Sequence, residues 1–162
     1  MSKLVVNSTF LRSKHEGVLL SAVAQAAENH IFPVTFCVVV KECVASYKYF
    51  FQIMRGFVDE TNELCIISDS HPSIRIMISR IYPACHYGCC MRHLRENIRN
   101  KFHNSKVVSH FYKAAKAYDI CEFNDHFNQL RDLVPKATKA LERIGFYTWS
   151  RAFCSGNRYH LN

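Results

Sequence analysis

The sequence has no long hydrophobic run. Its longest stretch of consecutive apolar residues is Phe36 to Val40. That is strand length, far below the roughly 18 to 20 residues a membrane helix needs. The N-terminus also lacks the apolar segment and small-residue cleavage site of a secretory signal, because Met1-Ser2-Lys3-Leu4-Val5-Val6-Asn7 passes at once into polar residues. An intracellular chain is the expectation. No internal repeat, low-complexity tract or linker interrupts the 162 residues, a length ordinary for one domain. Acidic residues are scarce, 13 against 21 Lys and Arg, leaving a net charge of +8 with histidines neutral. Such a surplus draws anionic partners, of which nucleic acid is the usual one. A soluble basic protein without such a partner would have the same composition.

What is present is enough apolar material for a core: 49% of the chain is hydrophobic, which excludes a disordered polymer. There are eight cysteines. Without a secretory signal a disulfide framework is not expected, and most sit in apolar stretches, so they read as buried free thiols acting as small hydrophobes.

The first third reads as three strands, Lys3 to Leu11, Gly17 to Ala26 and His30 to Val40, in an antiparallel meander with a turn at Ala27 to His30. Pro33 predicts an irregular or edge start to the third. Ser46 to Val58 spaces Tyr47, Phe50, Phe51, Met54 and Phe57 by three and four, an amphipathic helix with a core-facing stripe. Leu64 to Ile67 is a short apolar strand, Ser73 to Ile81 a helix with Pro72 near its first position, and Tyr82 to Tyr87 a further strand. Helical periodicity then covers Cys90 to Phe102, Val107 to Tyr118, Cys121 to Leu133 and Pro135 to Ile144. The order β-β-β-α-β-α-β followed by helices implies an α/β mixed sheet with flanking helices and a helical C-terminal section.

Asp69 directly follows the Leu64 strand, where open α/β sheets place their sites. Two-metal nucleases use two or three such carboxylates to hold Mg²⁺ ions roughly 4 Å apart. From position alone Asp69 serves equally as the cap of the helix opened by Pro72, the commoner role. The partner carboxylate would sit on the first strand, and the equivalent residue is Asn7, whose amide brings no negative charge. Asp59, Glu60 and Glu63 read as a solvated run, and Glu42 either leans toward the same sheet end or lies on the surface.

Cys90 and His93 form C-x2-H at a helix start, with Cys85, His86 and Cys89 nearby. Thiolate and imidazole are zinc ligands, but a structural site takes usually about four, and no distant second pair closes one. The alternative is a packed thiol and a locally bonded histidine. Arg92, Arg95 and Arg99 lie along one side of the same helix, followed by Lys101, Lys106, Lys113 and Lys116, with Glu96 the one acid among them. This is either a phosphate-contacting face or a solvated one.

The runs Ile66-Ile67-Ser68-Asp69-Ser70-His71-Pro72-Ser73-Ile74 and Tyr82-Pro83-Ala84-Cys85-His86-Tyr87-Gly88-Cys89-Cys90-Met91-Arg92-His93-Leu94-Arg95-Glu96-Asn97-Ile98 resemble the plant Mutator-like (MULE, MuDR-type) transposase domain. So do Gly17 to Ala22 and Lys41 to Phe51. The resemblance implies an RNase H-like fold, a D-D-E site using Mg²⁺ or Mn²⁺, DNA cleavage and joining at terminal inverted repeats, self-association, and action in the nucleus. It implies a core over residues 1–88, incomplete, and a helical insertion over 89–162. By position Asp69 matches the second catalytic Asp, and Cys90 with His93 the family's C-x2-H. Asn7 stands at the first catalytic Asp. The family's Val-Asp after the third strand is Val39-Val40 here, and its Asp two residues past the Glu is Val44. The family's final Glu lies in a segment like Asn-Ile-Ala-Glu, and this chain ends at Gly156-Asn157-Arg158-Tyr159-His160-Leu161-Asn162, before it. The expectation is a transposase-derived fragment, truncated before the last catalytic helix, without nuclease activity and with apolar surface exposed. A non-catalytic module binding DNA or a partner is the alternative.

Overall fold

Strand and helix segments follow one another in the structure in the order the periodicities predict. The computed structural model describes residues 2–12, 16–25 and 30–154. The expected turn at 27–30, apart from His30, and the terminal run 156–162 lie outside the described residues. The chain divides into two compact units, Met1–Tyr87 and Gly88–Asn162.

The sheet contains β1 (Ser2–Leu11), β2 (Gly17–Gln25), β3 (Ile31–Val39), β4 (Leu64–Ser68) and β5 (His86–Cys89), in the order β3-β2-β1-β4-β5. β1, β2 and β3 form the antiparallel meander, with Asn7 opposite Ser21 and Val18 opposite Val39. The chain then runs through α1 (Val44–Arg55) and returns as β4, parallel to β1. Parallel neighbours need such a crossover, since a tight turn cannot reverse the direction twice.

The period of two sorts the strands into faces. Leu4 and Val6 of β1, Val18, Leu20 and Ala22 of β2, and Leu64 and Ile66 of β4 are buried on one face. Tyr47, Phe50, Phe51 and Met54 of α1, with Ile74, Met77 and Ile78 of α2 (Pro72–Ile81), complete that core. Phe57 does not join the stripe. It follows the C-cap Gly56 and is 74% exposed, because the helix has ended before its turn comes round to the sheet. Nor is residue 82 to 85 a strand. Tyr82 closes α2 by donating its N–H to Ile78, and Cys85 donates to Tyr82 in a turn. Pro83 lacks the N–H a ladder requires, so the strand begins at His86.

β3 is the edge. Ala22 pairs with Thr35 but Val23 pairs with Pro33, which leaves Val34 as an extra residue. A proline in a sheet is accommodated by an edge position and a bulge of this kind. The edge leaves Ile31, Phe32, Phe36 and Val38 exposed. The cysteines are less uniformly buried than their apolar neighbours predict. Cys65 and Cys89 are buried, Cys121 is exposed in the first turn of its helix, and the others are intermediate.

The second unit holds α3 (Met91–Phe102), α4 (Ser105–Lys116), α5 (Ile120–Leu133) and α6 (Pro135–Ile144), then two short 3₁₀ turns, Phe146–Thr148 and Arg151–Phe153. Each helix start has a local cause. Asn104 Oδ1 accepts from the Lys106 and Val107 N–H groups, Asp119 Oδ1 from Glu122 N–H, and Pro135 takes the first position of α6. The core is aromatic. Trp149 is fully buried, donates Nε1–H to Leu141 O at 3.3 Å, and lies within 6.3 Å of the rings of Phe111, Phe123, Phe127 and Phe146. No described helix is long and apolar enough to cross a membrane.

Candidate functional site

The parallel ladder between β1 and β4 ends at Val6 opposite Ser68. Asn7 and Asp69 are therefore the next residues along the two neighbouring segments, Asn7 in the middle of β1, which runs on beside β2 to Leu11, and Asp69 immediately after the last residue of β4. Asn7 belongs to the odd-numbered residues of β1, which face away from the core that α1 and α2 cover. Both residues are half-exposed.

The backbone of Asp69 is held from two sides. Its carbonyl accepts from Ser68 Oγ at 2.8 Å and from the Tyr87 hydroxyl at 3.2 Å. Its carboxylate accepts from the Ser70 hydroxyl at 3.4 Å. Asp69 is not the cap of α2, contrary to the expectation from position. The N-cap is His71, whose Nδ1 accepts from Ser73 N–H at 3.3 Å. The cap lies two residues nearer the helix than Asp69, so the carboxylate is left to the strand end.

Glu42 leans toward the same end of the sheet. It is half-buried, and its Oε1 accepts from the Tyr47 hydroxyl at 2.6 Å. Burial first, then the Glu42 hydrogen bond and charge, hold the Tyr47 hydroxyl well above the usual tyrosine range, with Asp69 adding to the effect and a hydrogen bond with Ser8 opposing it. The His71 ring lies 5.9 Å from the Tyr47 ring. Tyr47 is thus the buried link of the sheet-end polar cluster. Sequence periodicity showed it only as a core residue. The available signal was a tyrosine in a stripe otherwise served by Phe and Met, five positions after a glutamate.

The donor set is thin for metal chemistry. Among the described residues no three His, Cys, Asp or Glu side chains converge on a common point. Two divalent ions need charge from two or three carboxylates. Here the β1 position carries a neutral amide and Glu42 is already hydrogen-bonded, so these residues do not fit a two-metal centre.

In the second unit Cys90 is the N-cap of α3 and makes no side-chain capping bond, and His93 keeps a buried Nδ1 without a partner. No third described ligand joins the pair, so C-x2-H does not by itself make a zinc site. Cys85, in the first unit, is pushed up to about 12 by burial and stays a thiol at neutral pH. Arg92, Arg95 and Arg99 of α3 are exposed, as are Lys101 and Lys106. Glu96 pairs with Arg99 at 2.6 Å and Arg95 at 3.6 Å. One carboxylate shared by two guanidinium groups leaves the helix face positive.

Residues 3–97 match the model of the MULE transposase domain. The chain belongs to that family. The matched range includes β1 with Asn7, the β4 end with Asp69, and the start of α3 with Cys90 and His93. No curated protein matches the sequence. A similar solved chain comes from the cryo-EM structure of a simian T-cell lymphotropic virus intasome in complex with PP2A regulatory subunit B56 gamma. It is 8% identical with a TM-score of 0.42, over 96% of this chain and 56% of that one. The MULE-domain chain therefore spans little more than half of that neighbour's length, and at that score the likeness does not establish a shared fold.

Proposed function

We propose that this is a transposase-derived domain without two-metal nuclease activity, whose retained capacity is to bind DNA through α3. The observation that carries the first part is Asn7 beside Asp69. By the family resemblance these two positions carry the first and second catalytic Asp, and the first is an amide here, one residue past the Val6–Ser68 pair of the parallel β1–β4 ladder. An RNase H-like core in the first unit and a helical insertion in the second are the reading this organisation supports. The first strand is central and lies parallel beside β4, which Asp69 directly follows. Mg²⁺ or Mn²⁺ serves the intact site by activating water and stabilising the leaving oxygen, and Asp69 alone is a weak anchor for it.

The second part rests on the exposed, positive face of α3. Arg92, Arg95 and Arg99, with Lys101 and Lys106, contact phosphate oxygens without reading sequence. A plant origin, a nuclear site of action and terminal inverted repeats as the natural DNA follow from the family resemblance, as does self-association. The test is a duplex-DNA mobility shift over a salt series. Binding weakens steeply as salt rises and is lost when Arg92, Arg95 and Arg99 are changed together to Gln. Absence of binding at low salt contradicts the DNA-binding reading and leaves a domain with no DNA contact of its own.

A further inference from the structure

A cavity of about 390 Å³ lies on the second unit between α4 and α5, lined by Tyr112, Lys113, Lys116, Tyr118, Glu122 and His126. Neither the α3 arginines nor the strand-end residues contribute to it. The lining combines two phenol rings with two ammonium groups. Tyr118 is 74% exposed although the Arg151 guanidinium lies over its ring at 3.7 Å, and Lys116 Nζ sits 4.4 Å over the Tyr112 ring. Glu122 is the one acid, and its carboxylate is engaged: Oε2 accepts from Tyr118 N–H at 2.9 Å as part of the α5 cap. On the cavity wall, His126 keeps a buried Nδ1 with no partner.

The Tyr118 ring, with a guanidinium over one face and most of its surface in solvent, suits a ligand that is itself a flat ring bearing a negative charge, stacked on its other face. Bases stack on aromatic side chains through a π-face every base has, while nearby Lys and Arg meet the phosphate. A paired base offers no such face, because its neighbours in the duplex cover it. We propose that the α4–α5 cavity is a nucleotide site that takes an unstacked base on Tyr118 and its phosphate on Lys113 and Lys116. The site is separate from the α3 face and does not depend on duplex binding there.

The experiment measures fluorescence anisotropy of a labelled thymidine homopolymer strand and of a labelled duplex on the full chain. Tyr118→Ala weakens single-strand binding by about tenfold, Tyr118→Phe restores it, and duplex binding is unchanged. The Tyr118 ring is mostly in solvent and its backbone N–H still serves the α5 cap, so the variant keeps its thermal melt. Deoxythymidine monophosphate distinguishes the sources. Displacement of the strand by the mononucleotide, lost in Tyr118→Ala, assigns the site to free nucleotide; a Tyr118-dependent strand that the mononucleotide does not displace assigns it to nucleotides within a chain. Either result supports the site. Single-strand binding equal in the parent, Tyr118→Ala and the Lys113→Gln/Lys116→Gln pair overturns it, as does a loss that falls equally on strand and duplex.

Discussion

At the sheet end of the first unit the polar side chains are engaged with one another. Tyr47 donates to Glu42, and Ser68 and Tyr87 both hold the Asp69 carbonyl. In the second unit the α3 cations stand exposed, and one glutamate answers two arginines. The strand-end residues thus fall in a region with few free charges, while the part best equipped to meet an anion is the helical one. Loss of a single carboxylate removes a centre that needs several ligands at once. A basic helix face degrades gradually, since each phosphate contact contributes separately.

Several substitutions sharpen or break this contrast. The largest effect is expected from Trp149→Ala, which empties the middle of the aromatic core and costs about 3–5 kcal/mol. Hydrogen exchange then accelerates across α4 to α6. If protection there is unchanged, the core is not where the structure puts it. Next, changing Arg92, Arg95 and Arg99 to Gln lowers the salt slope of duplex binding by up to about 0.9 per lost phosphate contact. A slope identical to the parent's places the DNA elsewhere. Asn7→Asp places a second carboxylate beside Asp69 and tightens Mn²⁺ binding by about tenfold, read by calorimetry. That gain disappears when Asp69→Ala is added. Were Asn7→Asp to leave Mn²⁺ binding unmoved, the two positions would not share a site.

Two smaller effects lie within the helical unit. Gly145 ends α6 at φ +92°, and an added Cβ would sit 2.8 Å from the Tyr147 ring, so Gly145→Ala destabilises by about 1 kcal/mol or more. An unchanged melting temperature would show that the turn relaxes freely. His110 is pushed below the usual histidine range, by burial first and then by Lys113, His126 and Lys106. The unfolded chain therefore takes up the proton first. The sign follows: stability is complete above about pH 6.5 and declines as pH falls below it. His110→Gln flattens the acid side of a melting-temperature profile, and a steeper acid side in that variant would contradict the assignment.

Much of this was legible in the residues. The helical stripes and the β-branched runs found their elements to within a few positions, because periodicity reports which face meets the core. Asp69 at a strand end was legible for the same reason. Its freedom from capping was not, since His71 and Asp69 stand equally plausibly before Pro72 and the choice is made by side-chain geometry. The adjacency of Asn7 and Asp69 depends on β4 inserting beside β1 rather than β3, a long-range pairing that local pattern does not encode; the family resemblance supplied it instead. Trp149 was missed because it sits between 3₁₀ turns too short to show a period. The α4–α5 cavity was missed because Tyr112 and Tyr118 lie on two sides of a helix end and meet only after α5 has packed back.

The central claim is that the sheet end no longer supports two-metal DNA cleavage. Nicking of supercoiled plasmid in Mg²⁺ or Mn²⁺ tests it most directly, with Asp69→Ala as the reference. The account predicts no nicking above that reference with either ion. Metal-dependent nicking by the parent chain that vanishes in Asp69→Ala would contradict it.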